Sequence, residues 1–314
     1  MDRSEIIYEL LKLIPKGWVS TYTAMAKASG INNPRSVGSI LHKNKNPRLA
    51  SCYKVVNARG QLAVSYAFGG AKAQMRLLKN DSVPFLRGRV DIAKCLWVPS
   101  DLVKAYLQLL YKYGRPGPWP WFSSKRRHAN EEIVIGAILT QNTNWRNVES
   151  ALENLRREKI VTLRAISDLT SRQLPYLKSL IRPSGFYNQK GERLYLLSRY
   201  IIKNYSTLRN FFKLPLNIAR LKLLSLSGIG PETADTMLLF AGNKLTFTID
   251  NYTKIFVRQH GLSSISDDEG LKKYFESNLP EKVGIYKDFH ALIVRWGKER
   301  TNKRSWSRRA ELNG

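Results

Sequence analysis

Apolar side chains at Ile6, Ile7, Leu10, Leu11 and Ile14 recur at the spacing of one helix face, which predicts a helix over residues 4–14. Ser20 and Thr21 can cap a second helix that runs to about Ser29, and Gly30-Ile31-Asn32-Asn33 reads as a turn. Pro34 suits the first position of a third helix, which buries Val37, Ile40 and Leu41 and exposes Arg35, His42 and Lys43. Helix, tight turn and basic helix together make a helix-turn-helix pattern, a common one in small helical cores. Pro84, Gly88 and Pro99 bracket a short apolar stretch, so a linker is expected over 89–101, between a domain at 1–88 and another at 102–314. Leu102–Tyr113 reads as a helix, and the prolines and tryptophans of the GRPGPWPWF stretch then break regular structure. From Glu131 to about Leu279 the pattern is helix after helix, turned at Pro183-Ser184-Gly185, Pro215 and Gly228-Ile229-Gly230. The expected fold class is mainly α, a winged helix-turn-helix-like domain followed by an all-α domain.

Composition narrows the function. The 314 residues are 43% hydrophobic and 11% aromatic, enough for real cores and too apolar for general disorder. Apolar runs such as Ile133–Leu139 fall far short of the ~18 residues that a membrane span needs. The charged N-terminus does not read as a signal peptide, so an intracellular protein of the cytoplasm or nucleoid, without a membrane partner, is expected. Two cysteines, Cys52 and Cys95, cannot form a four-cysteine iron–sulfur site. The formal net charge is +28, from 52 basic and 24 acidic side chains, and it points to a polyanion. The excess is shared, +11 over residues 1–90 (15 basic, 4 acidic) and +17 over residues 101–314 (36 and 19). A single basic tail would have put it at one end. Arg295–Arg309 adds seven basic residues interleaved with Trp296 and Trp306, which suits a phosphate-binding tail or plain solvated surface.

The stretches IPKGWVSTY, NPRSVGSILHKN, SCYKVV and YAFGG resemble the C-terminal domain of O6-alkylguanine-DNA alkyltransferases and the related alkyltransferase-like proteins. Cys52 lies 17 residues after Arg35 and 8 after Asn44, the family's spacing for acceptor cysteine, recognition-helix arginine and hinge asparagine. An alkyl group on guanine O6 is out of reach inside the base stack, so the nucleotide must be flipped out. The resemblance implies that Arg35 fills the gap, that Tyr22 crowds the phosphate, and that Cys52 accepts the alkyl group. The family's Pro-Cys-His-Arg is replaced by Ser51-Cys52-Tyr53-Lys54. Tyr53, a poor base at neutral pH, thus stands where the relay histidine is expected, and Asp81 falls near the place of the relay carboxylate. A free thiol ionises near ~8.5 and needs a base or a positive field, which Lys54 can supply. Three roles fit Cys52: acceptor with altered activation, part of a recognition-only site, or structural core.

Residues 221–256 read LKLLSLSGIGPETADTMLLFAGNKLTFTIDNYTKIF. Gly228 and Gly230 permit a tight turn, Pro231 starts the next helix, and the amides at that helix start suit a DNA phosphate. The segment resembles the helix-hairpin-helix DNA glycosylases of the endonuclease III superfamily, with a likeness running from about Tyr106 to Lys298. In lyase members a lysine lies 18 residues before the catalytic aspartate; counted back from Asp250, that position is Glu232. AILTQNT, RPSGFYNQK and FHALIVRW are similar to the 3-methyladenine DNA glycosylase III branch. The resemblance implies Asp250 as the catalytic carboxylate, Gln141 as the residue that fills the duplex gap, and a base pocket between Trp145 and Trp119 with Pro120. His290 is the most notable of the four histidines, and as a type more often a packing residue than a catalyst.

The sequence therefore predicts a protein for alkylation damage in double-stranded DNA, a monomer, with no metal, no organic cofactor and no iron–sulfur cluster. An alkali ion bridging the Gly228–Gly230 hairpin to phosphate fits the pattern. The rival is a damage-binding protein without catalysis.

Overall fold

The computed structural model describes residues 1–47, 49–116 and 128–312, with side chains as far as Thr301. Trp119 and Pro120 lie outside the described residues. Helix α1 (Arg3–Leu13) starts on a reciprocal cap, in which Asp2 Oδ1 accepts from Glu5 N and Glu5 Oε2 accepts from Asp2 N, both at 2.8 Å. Thr21 alone caps α2 (Tyr22–Ser29), and Gly30 ends it at φ +69°. Ser20 instead joins Thr21 in β1, which pairs in parallel with β2 (Val55–Val56), Ser20 opposite Val55. Asn33 caps α3 (Pro34–His42), whose first position is Pro34. Pairing of β1 with β2 brings the 3₁₀ turn Cys52–Lys54 beside these helices. Helix α4 (Gly70–Asn80) closes the domain and delivers Asp81 at its C-terminal end.

Of residues 89–101, expected as a linker, 89–97 pack onto the N-terminal domain, and Ser100 Oγ donates to Asn278 O at 2.6 Å in the C-terminal half. Arg89–Val90 (β4) pairs antiparallel with Phe85–Leu86 (β3), α5 spans Ile92–Cys95, and Trp97 N donates to Val19 O at 2.7 Å. Val90 and Cys95 are buried with Val19, Val56, Leu78 and Val83 in a small core.

Helix α6 (Asp101–Tyr113) buries Leu102, Val103, Tyr106, Leu107, Leu109 and Leu110. It packs on α1 and α2 on one side, and on α16 (Asp268–Asn278) and α17 (Val283–Leu312) on the other. One apolar core therefore runs through both halves of the molecule. Arg115 pairs with Glu9 of α1 and, at 2.8 Å, with Asp288 of α17, which ties the halves together electrostatically.

The C-terminal half is built around α7 (Ala129–Leu139), whose residues Ile133 to Leu139 are all buried. Such an all-round apolar helix is stable only when covered on every side. Its cover includes α8 (Trp145–Arg157), α11 (Tyr187–Tyr205), on which α9 (Leu163–Ser167), α10 (Leu174–Leu180) and α12 (Leu208–Phe211) pack, and the hairpin of α13 (Leu216–Leu224) with α14 (Pro231–Thr236), which continues as a π-helical turn, Met237–Ala241. From there the buried Thr246, Phe247, Thr248 and Ile249 lead to Asp250 at the start of α15 (Asn251–Gln259).

Candidate active sites

In the N-terminal domain the structure brings Cys52, Asn44, Tyr22 and Tyr53 together. Cys52 is 5% exposed, and its Sγ accepts from Asn44 Nδ2 at 3.1 Å. The same amide donates to Ala50 O at 2.8 Å, so Asn44 staples the loop that carries the cysteine. Tyr66 OH lies 3.9 Å from Sγ, and burial together with Cys52 pushes its phenol well above the usual range. Tyr66 lies within the YAFGG stretch, and no local signal there marks it as a site residue. Tyr22, at the N-terminus of α2, also has a raised phenol, through burial and then the proximity of Cys52. Arg35 is exposed in the first turn of α3, free to reach solvent or DNA.

The proposed relay is not assembled. Asp81 Oδ2 lies 2.8 Å from Lys54 Nζ and accepts from Gly17 N at 3.1 Å. Lys54 also donates to the carbonyls of Ile14 at 3.3 Å and Pro15 at 2.9 Å. Its ammonium is thus directed at Asp81 and the end of α1, and is not offered to the thiol. Burial, then the nearby Asp81 and Cys52, raise the Tyr53 phenol, which takes it further from acting as a base.

In the C-terminal half a cavity of about 880 Å³ opens between the α7–α8 loop, α14, α15 and α17. Gln141, Trp145, Glu232, Asp250 and His290 line it. Asp250 caps α15, with Oδ1 accepting from Thr253 N and Thr253 Oγ1, both at 2.7 Å. Oδ2 faces His290 Nε2 at 3.4 Å, and the carboxylate side chain is only 13% exposed. Burial alone would raise the Asp250 carboxyl, but His290 and the Thr253 hydrogen bonds outweigh it and hold the group below the usual carboxylate range. Glu232 shifts the other way, raised by desolvation in the cleft and then by the charge of Asp250. Capping and pocket-lining are thus both true of Asp250. Lys298 and Tyr252, also at the cavity, were not anticipated.

Gln141 does not project as an unattached probe. Its Nε2 donates to Gly228 O at 3.0 Å and to Thr233 Oγ1 at 3.1 Å, and its Oε1 accepts from Arg193 Nη1 at 2.5 Å. These bonds lock the α7–α8 loop to the glycine turn. Gly228 has φ +78°, and a Cβ there would collide with the Arg193 guanidinium. Gly230 is extended and precedes Pro231, which leaves the first amides of α14 uncapped by any side chain. The exposed neighbour Asn142 has φ +51°.

A helical hairpin whose glycine turn is locked against a pocket holding a nearly buried aspartate defines a helix-hairpin-helix base-excision fold. Residues 135–288 match the HhH-GPD superfamily of base excision DNA repair proteins, and residues 2–83 match the DNA-binding domain of 6-O-methylguanine DNA methyltransferase. The chain is 40% identical, over 207 residues, to a provisionally named DNA repair glycosylase of Methanocaldococcus jannaschii; the match covers 65% of this chain and 90% of that one. It therefore belongs to the HhH-GPD superfamily, as a DNA repair glycosylase with an added methyltransferase-type DNA-binding domain. A bifunctional methyltransferase/endonuclease of Picrophilus torridus is 34% identical over 95 residues, 30% of this chain and 31% of its own. Among solved structures, Helicobacter pylori 3-methyladenine DNA glycosylase bound to 1,N6-ethenoadenine superposes with a TM-score of 0.53 at 32% identity, covering 63% of this chain and 95% of that one. Among the described residues no helix is long and apolar enough to cross a membrane.

Proposed function

We propose that the C-terminal domain is a monofunctional glycosylase that hydrolyses the N-glycosidic bond of alkylated bases, of the 3-methyladenine type, in double-stranded DNA. The observation that carries this reading is Asp250, ionised and nearly buried on the wall of a cavity of about 880 Å³, with room for a flipped base, beside Trp145. A flipped base stacks on Trp145, and a base made cationic by alkylation gains most from an aromatic face. As the C1′–N bond breaks, its electron pair leaves with the base and positive charge builds on the sugar. The Asp250 carboxylate offsets that charge and takes the proton of the water that attacks C1′. Glu232 offers no amine, so no imine forms with the sugar. Gly228, Gly230 and the first amides of α14 hold the DNA backbone, and Gln141 acts from the locked loop beside them.

For the N-terminal domain, at residues 1–88, we propose flipping of O6-alkylguanine with Arg35 and Tyr22, and alkyl transfer to Cys52. The thiol gives up its proton to water, the thiolate sulfur attacks the alkyl carbon, the carbon–O6 bond breaks with its electron pair on guanine, and the guanine anion takes a proton from water. Asn44 Nδ2, 3.1 Å from Sγ, holds the sulfur in place for this attack. A second reading, recognition without transfer, is favoured by the commitment of Asp81 to Lys54. Incubation with duplexes carrying each lesion, reading released base and alkylated protein separately, tests both domains at once.

A further inference from the structure

We propose that His290 is the positioning residue of the glycosylase site, holding the Asp250 carboxylate in its catalytic orientation. His290 is 6% exposed, on α17, and both ring nitrogens are buried without a hydrogen-bond partner among the described residues. Its ring packs edge-on against Phe240, with centroids 5.7 Å apart. For packing alone a phenylalanine would serve better, because an unpaired buried polar group costs roughly 1–3 kcal/mol. The imidazole is nonetheless present, and it lines the cavity with Nε2 3.4 Å from Asp250 Oδ2.

The geometry explains what that ring does. Asp250 Oδ1 is fixed by its own helix through two donors on Thr253. Nothing on α15 restrains rotation of Oδ2 to the same degree, and His290 reaches that oxygen from a different helix. A hydrogen bond along that 3.4 Å line fixes the second oxygen. Mispositioning by about 1 Å can cost on the order of 100-fold in rate.

This inference rests on the reading of Asp250 as the catalytic carboxylate. The test uses the full chain and dimethyl sulfate-treated duplex DNA, with single-turnover base release and duplex affinity measured for His290→Phe, His290→Gln, Asp250→Asn and the double variant His290→Phe/Asp250→Asn. His290→Phe is expected to slow release by about 10–100-fold at unchanged affinity. His290→Gln, which keeps a nitrogen donor, is expected to recover most of that loss. In the Asp250→Asn background the Phe change is expected to add nothing to the residual rate, because one group acts through the other. An equal further loss in that background, or no difference between the Phe and Gln variants, overturns the proposal. Should His290→Phe fail to fold, the comparison of His290→Gln with His290→Met decides in the same way. Undiminished release by Asp250→Asn alone would instead sink the underlying glycosylase assignment.

Discussion

Lys54 Nζ lies 2.8 Å from Asp81 Oδ2, with side chains 6% and 15% exposed. This pair joins the turn that carries Cys52 to the end of α4, and it occupies the two charged groups, of the three with Tyr53, that the sequence offers for activating the thiol. Removing one partner strands the other. Lys54→Met should destabilise the protein by about 3–5 kcal/mol, because a nearly buried carboxylate would be left uncompensated. Denaturant unfolding checks this; a loss below about 1 kcal/mol would place the pair among ordinary surface bridges.

Alkyl transfer to Cys52 has a direct mass signature. Incubation with duplex DNA containing O6-methylguanine should add one methyl group to the protein, once, and Cys52→Ala should abolish the gain. Asn44→Ala, which removes the donor on Sγ, should slow the gain by about 10-fold, the value of one charge-assisted hydrogen bond. Tight binding of the lesion with no mass change would establish recognition without transfer.

Lys190 is 1% exposed and donates to Leu139 O at 2.8 Å and Ser184 O at 2.6 Å, pinning the end of α7 that leads to Gln141. Burial, then Arg193, pulls its ammonium from 10.5 down to about 8. Between those values the unfolded chain holds a proton that the folded chain has shed, so a rise in pH through the window favours folding. Below about 8 the burial penalty is present in full. Wild-type stability relative to Lys190→Met should therefore improve from about pH 7 to about pH 10, by up to roughly 3 kcal/mol. A gap that stays constant or shrinks in alkali would contradict that assignment.

Glu232 stands where lyase relatives carry an amine. The wild-type protein should leave an intact abasic site, cleaved only after hot alkali, and borohydride should trap no protein–DNA adduct. Ready trapping would mean that another lysine, with Lys298 at the cavity the first to test, supplies the nucleophile.

Much of this was legible in the sequence. The helix periods, the Thr21 cap, Pro34 at the start of α3 and the Gly228–Gly230 turn are local features, and local chemistry specifies them. The resemblance singled out Asn44 as a hinge residue by its spacing of 8 from Cys52, and its contact with Sγ comes from the structure. What escaped depends on partners far apart in the chain. Lys54 is pulled from the thiol by Asp81, 27 positions on, and Gln141 is held by Arg193 and Gly228, 52 and 87 positions on. Residues 89–101 read as a linker because Pro84, Gly88 and Pro99 mark breaks around them, whereas Val90 and Cys95 supply the apolar contacts that dock them. His290 carries no local signal, since a lone histidine in an apolar helix looks the same whether it packs or acts.

Base release by Asp250→Asn is the decisive measurement. The substitution keeps the shape and the Thr253 contacts of the side-chain oxygen while removing the charge that offsets the developing sugar cation. With dimethyl sulfate-treated duplex DNA, single-turnover release of methylated bases should fall by at least about 100-fold while duplex affinity is retained. Release at the wild-type rate would contradict the assignment of this pocket as the site of base excision.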